Sequence, residues 1–141
     1  MRFCVIGAGA MGGVYGLSLI EAGYKVNFLD VNRDHVNAVK ENGFRLSGIG
    51  KKKVHKINIS DNENDFKNSA DVVLFHAHTT GTKSAALSAA SVLKPDGYAI
   101  TLQNGIGNIE SLSEVLGAKR VVGGISYHSA ALEDLGHVNH T

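Results

Sequence analysis

The segment Gly7-Ala8-Gly9-Ala10-Met11-Gly12 constrains this chain more than any other. It follows Arg2-Phe-Cys-Val-Ile6, a short apolar run of the kind that is buried on both faces of a parallel sheet. It opens a stretch in which Met11, Val14, Tyr15, Leu17, Ser18 and Ile20 to Ala22 carry helical spacing, closed by Gly23. A strand that breaks on glycine and re-enters at once as a helix gives each glycine a task. Gly7 permits the tight turn, Gly9 leaves the backbone bare for close approach, and Gly12 lets helix and strand pack closely. The helix N-terminus then offers free N–H groups and the positive end of its dipole, which suit a pyrophosphate. No residue from Phe3 to Ile20 is charged, a length that also fits a membrane segment, but Gly7, Gly9, Gly12, Gly13 and Gly16 favour strand, turn and helix.

The same alternation continues. Lys25 to Asp30 reads as a second strand, a helix starts at Val31 or Asn32 with Val36, Ala38 and Val39 toward the sheet, and Asn42-Gly43 closes it. Phe44 to Leu46 and Val54 to Ile59 read as short antiparallel strands around the turn from Gly48 to Lys53, with Lys51-Lys52-Lys53 as a solvated turn. Ala70 to Phe75 is a strand, Lys83 to Leu93 a helix, Lys94-Pro-Asp-Gly97 a turn and Tyr98 to Leu102 a strand. Glu110 to Leu116 is a helix, Val121-Val122 a strand, and Ile125 to Val138 resembles edge strands. The predicted class is α/β: a doubly wound, mostly parallel sheet of Rossmann type, forming one dinucleotide-binding domain over 1–141. Ligands of such sheets bind outside the carboxyl ends of the strands, where the strand order reverses.

Bulk properties narrow the classes. The chain has 141 residues, the length of one domain, with 43% hydrophobic and 19% charged residues, which is ordinary for a globular protein. A formal charge of +1 provides no field for nucleic acid or an anionic membrane, so neither is an expected partner. The single cysteine, Cys4, excludes an intrachain disulfide and fits a reducing, cytoplasmic setting.

Four positions beyond the glycines carry candidate chemistry. Asp30 ends the second strand near the ~20-residue spacing at which a carboxylate meets an adenosine ribose. Its charge favours NAD(H) over NADP(H), and its alternative role is a helix cap. Arg33, just beyond, offers a guanidinium to a 2′-phosphate, so both cofactors remain open. His76 and His78 follow the strand ending at Phe75. With no carboxylate or cysteine partner in the nearby sequence they read as a polar lining of the cofactor cleft rather than a metal site. Gln103-Asn104-Gly105 also follows a strand, where the Asn104 amide can donate to a carbonyl and accept from a cofactor, or simply form a turn. His35, His55, His128, His137 and His140 show no ligand spacing and read as ordinary surface or core imidazoles.

With those residues in place, the chain resembles the N-terminal domain of the ketopantoate reductase (2-dehydropantoate 2-reductase) family. The resemblance rests on Phe3-Cys-Val-Ile-Gly-Ala-Gly-Ala-Met-Gly-Gly13, Thr101-Leu-Gln-Asn-Gly-Ile-Gly-Asn108 with Glu110, Val122-Gly-Gly-Ile-Ser-Tyr127 and Leu135-Gly-His-Val-Asn-His-Thr141. It implies hydride transfer from a nicotinamide to a small 2-keto acid, the family's being ketopantoate on the route to pantothenate. It also implies that Asn104 positions substrate or nicotinamide. The family usually has Lys at the position of His78 and often Arg at that of Val31. It adds a helical C-terminal domain carrying the general-acid Lys, so the expectation is that this domain is absent from the chain and catalysis incomplete, with His78 as a substitute proton donor. A homodimer or the missing domain would cover exposed apolar surface. Two other readings stand beside this one: a stand-alone dinucleotide-binding or sensing module without turnover, and a polyol or sugar-phosphate dehydrogenase, suggested by Phe28-Leu-Asp-Val-Asn32.

Overall fold

Strand β1 (Arg2–Ile6) divides its side chains between two cores: Cys4 and Ile6 enter one, Val5 the other, and all three are buried. A strand apolar on both faces belongs inside a sheet covered on both sides. In the computed structural model, which describes residues 1–48, 53–76, 82–102, 106–124 and 130–140, β1 is indeed central. It pairs in parallel with β2 (Lys25–Leu29) and with β6 (Ala70–Phe75).

Helix α1 (Ala10–Glu21) follows β1, and α2 (Arg33–Asn42) follows β2, with the Asn32 side chain accepting the His35 N–H as its cap. β3 (Phe44–Gly48), β4 (Lys53–His55) and β5 (Asn58–Ser60) come before β6, with a 3₁₀ turn at Glu63–Phe66. Then come α3 (Thr82–Val92), β7 (Leu93–Thr101), α4 (Ile106–Leu116), a 3₁₀ turn at Ala118–Arg120, β8 (Val121–Gly123), β9 (Ala130–Asp134) and β10 (His137–His140). The main sheet has the order β5-β2-β1-β6-β7-β8 with every pairing parallel. The chain builds outward to β5, returns across β1 and builds the other way, so the order reverses between β1 and β6. The doubly wound α/β class expected from the sequence is therefore the class observed.

Two cores flank the sheet. Ala86, Ala89, Val92, Leu112 and Leu116 of α3 and α4 pack on the Cys4 side. Val14, Leu17, Val36 and Val39 of α1 and α2 pack on the Val5 side. Phe28 is fully buried there against α1: a Cβ on Gly16 would overlap its ring. Truncating such a phenylalanine costs about 3–5 kcal/mol.

A second sheet, β4-β3-β10-β9, lies on the far side of α1. A Cβ on Gly13 would stand 2.9 Å from the Phe44 ring and 3.0 Å from Val138. Helix α1 is thus covered from both sides, and a helix covered all round needs no polar face. That accounts for the uncharged stretch from Phe3 to Ile20, which is strand, turn and helix as expected. Among the described residues no helix is long and apolar enough to cross a membrane.

The structure corrects several expected elements. Val54 to Ile59 is not one strand: β4 pairs antiparallel with β3, whereas β5 joins the main sheet beside β2. The tail is not all edge, because β10 lies between β9 and a parallel β3. Residues 94–97 interrupt the β6–β7 register rather than separate two elements, and α4 begins at Ile106, ahead of Glu110. Lys53 lies in β4 with Nζ 3.3 Å from Glu21 Oε1, while Lys51 and Lys52 lie outside the described residues.

Candidate functional site

The turn after β1 is drawn tight by backbone contacts. Gly7 has φ 91°, a conformation that L side chains rarely adopt, and its N–H donates to the Leu29 carbonyl at 2.9 Å. A Cβ on Gly12 would overlap the Gly7 carbonyl oxygen, so α1 can start this close to β1 only with glycine there. At Gly9, the N-cap of α1, a Cβ would meet nothing within 4 Å, and no side chain caps the helix. The first N–H groups of a helix have no partner within it. Here they are paired with an open approach along Gly9.

Asp30, immediately after β2, reaches back to this turn. Its Oδ2 accepts the Ala8 N–H at 2.8 Å and its Oδ1 accepts the Asn32 N–H at 2.8 Å. One carboxylate thus joins the glycine turn to the start of α2 and retains further lone pairs. Arg33, the first residue of α2, turns elsewhere: its Nε donates to Asp61 Oδ2 at 3.0 Å in an exposed ion pair. Ala10 and Met11 form the first positions of α1, partly exposed beside Gly9.

His76 follows β6, and its N–H donates to the Ile6 carbonyl at 2.7 Å, which sets it beside the glycine turn at the reversal point. Its ring stacks on Tyr15 of α1, centroids 5.8 Å apart and planes 11° from parallel. Nε2 is buried with no hydrogen-bond partner among the described residues. Burial pushes the imidazole pKa down to about 4, so the ring is neutral at physiological pH.

The structure therefore brings Gly7 to Gly12, Asp30 and His76 together at the carboxyl ends of β1, β2 and β6, and it directs the Arg33 guanidinium to Asp61. His78 and Asn104 lie outside the described residues. Sequence reasoning missed Tyr15, read only as a helix-spacing residue, and His35, read as an ordinary imidazole. His35 is buried, 2% exposed, with Nε2 2.6 Å from the Ala8 carbonyl oxygen and Nδ1 accepting the Gly136 N–H at 2.9 Å. Nothing in local spacing could have revealed it, because its partners come from distant segments. The groove lined by Met1, Asp71, Lys94, Asp96, Gly97 and Tyr98 lies at the opposite, amino ends of the strands.

Known proteins share this sequence pattern and fold. Residues 3–141 match the family described as Ketopantoate reductase PanE/ApbA. The 2-dehydropantoate 2-reductase of Archaeoglobus fulgidus is 32% identical over 137 residues, 97% of this chain and 43% of that protein. The one from Pyrococcus horikoshii is 30% identical over 138 residues, 98% of this chain and 44% of that protein. Among solved structures, a PanE/ApbA family ketopantoate reductase from Ralstonia eutropha JMP134 superposes with TM-score 0.90 at 32% identity, covering 99% of this chain and 46% of that one. D-mandelate dehydrogenase in a ternary structure with NADH and anilino(oxo)acetate superposes with TM-score 0.92 at 26% identity, covering 100% of this chain and 45% of that one. The chain spans a little under half the length of the curated relatives it matches. On the match over residues 3–141 and the strand order that carries the glycine turn, this chain belongs to the ketopantoate reductase PanE/ApbA family.

Proposed function

We propose that this chain is the dinucleotide-binding part of an oxidoreductase that reduces the ketone of a 2-keto acid, with NADH as the preferred cofactor. The observation that carries the reading is the Asp30 carboxylate seated on the glycine turn, bonded to Ala8 N–H at the carboxyl end of β2. The residues fit the group. The bare approach at Gly9 and the uncapped start of α1 suit a pyrophosphate. The remaining lone pairs of Asp30 suit ribose hydroxyls.

Cofactor choice follows from charge. A 2′-phosphate would meet the negative Asp30, and the candidate cation Arg33 is engaged in an exposed ion pair with Asp61. The D-mandelate dehydrogenase neighbour contains NADH, which supports the same preference here. When bound, the reduced nicotinamide supplies the hydride. The chain's own residues bind and orient: the backbone N–H groups from Gly9 to Gly12 hold the pyrophosphate, those of Gly7 and Ala8 being bonded to Leu29 and Asp30, and His76, whose buried Nε2 has no partner among the described residues, lines the nicotinamide end. Asn104 orients the carbonyl or nicotinamide, and His78 is the candidate donor of the proton that the reduced oxygen requires. A small 2-keto acid is the substrate class that the family supports, and the buried Cys4 fits a reducing, cytoplasmic compartment.

The test is fluorescence titration of the chain with NADH and NADPH, followed by addition of ketopantoate and other 2-keto acids. NADH is expected to bind about tenfold more tightly than NADPH, a difference of ~1.4 kcal/mol. Absence of binding by either at millimolar concentration would overturn the reading and leave the glycines serving the fold alone.

A further inference from the structure

We infer that His35 is a positioning residue for the dinucleotide: it sets the direction of the Gly9 N–H from behind, through the carbonyl of Ala8. This rests on the dinucleotide reading above but assigns a role to a residue too buried to touch the ligand, 2% exposed.

The hydrogen bonding fixes the imidazole's tautomer. The Gly136 N–H can only donate, so Nδ1 is the acceptor and carries no proton. Nε2 therefore bears the proton and donates to the Ala8 carbonyl at 2.6 Å. The ring is held by more than these two bonds, since Phe44 meets it edge-on, centroids 5.5 Å apart at 82°. Gly136 is held in turn, its carbonyl accepting the Arg45 N–H at 2.8 Å. A continuous support runs from β3 through the β9–β10 turn and the imidazole to the glycine turn.

Peptide planarity carries this support to the ligand side. The carbonyl of one residue and the N–H of the next point in opposite directions across a trans peptide. Drawing the Ala8 carbonyl toward α2 therefore turns the Gly9 N–H away from α2. The preceding peptide is held as well, because Ala8 N–H is bonded to Asp30. Two successive peptides of the turn are thus oriented before any ligand arrives, and preorganised donors bind an anion without the cost of ordering them. Histidine suits the position because one rigid ring bears a donor and an acceptor on nearly opposite sides.

His35→Gln and His35→Asn separate positioning from mere packing. Glutamine can keep a donor near Nε2 for Ala8 and gives up Gly136. Asparagine keeps an acceptor near Nδ1 for Gly136 and is too short for Ala8. The measurements are NADH titration, melting temperature and the amide NMR signal of Gly9 in the absence of ligand. Both variants are expected to melt lower than the parent. Only His35→Asn is expected to weaken NADH, by about tenfold, and to shift the Gly9 signal, with His35→Gln within about threefold of the parent. Affinity that is unchanged in both variants, or that falls equally in both, overturns the inference. If the parent binds neither dinucleotide, the underlying reading fails instead, and an unshifted Gly9 signal in His35→Asn separately overturns the positioning role.

Discussion

Asp30 Oδ2 accepts the Ala8 N–H at 2.8 Å across a separation of 22 residues, joining the end of β2 to the turn after β1. The second oxygen takes the Asn32 N–H, so the carboxylate serves two backbone donors as well as its proposed ligand. Asn at this position has only one acceptor oxygen. Asp30→Asn is therefore expected to lose one of the two bonds, destabilising the fold by about 1–2 kcal/mol. It also removes the charge that disfavours a 2′-phosphate. Thermal melting and paired titrations should show a lower melting temperature and a shift of preference toward NADPH. An unchanged NADH to NADPH ratio would remove Asp30 from cofactor choice.

Gly9 and Gly12 separate ligand space from folding space. A Cβ at Gly12 overlaps the Gly7 carbonyl, so Gly12→Ala should force the backbone apart at about 1–3 kcal/mol, as overpacking does. A Cβ at Gly9 enters open space, so Gly9→Ala should cost about 1 kcal/mol or less, the size of a weakened N-cap. It should nevertheless weaken dinucleotide binding by blocking the approach to the helix N-terminus. Denaturant unfolding alongside NADH titration distinguishes the two, and Gly9→Ala with parental affinity would contradict the proposed phosphate position.

His76 makes stability depend on acidity. Its pKa is pushed down to about 4 by burial, below the ordinary value near 6.5, so the unfolded chain takes up a proton that the folded chain refuses. The contribution is whole above pH ~6.5 and is lost as pH falls toward about 4, up to ~3 kcal/mol in all. Melting temperature measured across that window should fall more steeply for the parent than for His76→Gln. Equal slopes would show that other groups dominate.

Cys4 should be chemically silent in the folded state. Burial within β1 pushes its thiol up to about 12, leaving almost no thiolate at neutral pH. A maleimide is expected to label it only as fast as the chain opens, with rapid labelling in denaturant. Rapid labelling of the native chain would mean that β1 is not the buried central strand described.

Much of the site was legible from local order. The apolar run before Gly7, the helical spacing after it and the acid at the end of β2 are properties of neighbouring residues, and each fell where the structure has it. The cap was not: the sequence started the helix at Val31 or Asn32 and offered Asp30 as the alternative cap, whereas the structure gives that role to Asn32 and starts α2 at Arg33. Arg33 was a plausible grip for a 2′-phosphate because its pairing with Asp61 depends on where β5 ends.

The amino-acid sequence by itself determined the alternation of strands and helices, the tight turn at Gly7 and an acid at the end of β2. Steric allowance, periodicity and capping act over a few residues, so these features needed no distant partner. Tertiary structure alone decided that residues 54–59 divide between two sheets and that α1 is covered on both sides. It also decided that His35 bonds both Ala8 and a glycine 101 residues away. The physical reason is that a backbone or imidazole hydrogen bond can be satisfied by any donor or acceptor the fold delivers, and which one arrives is settled only when the sheets pack.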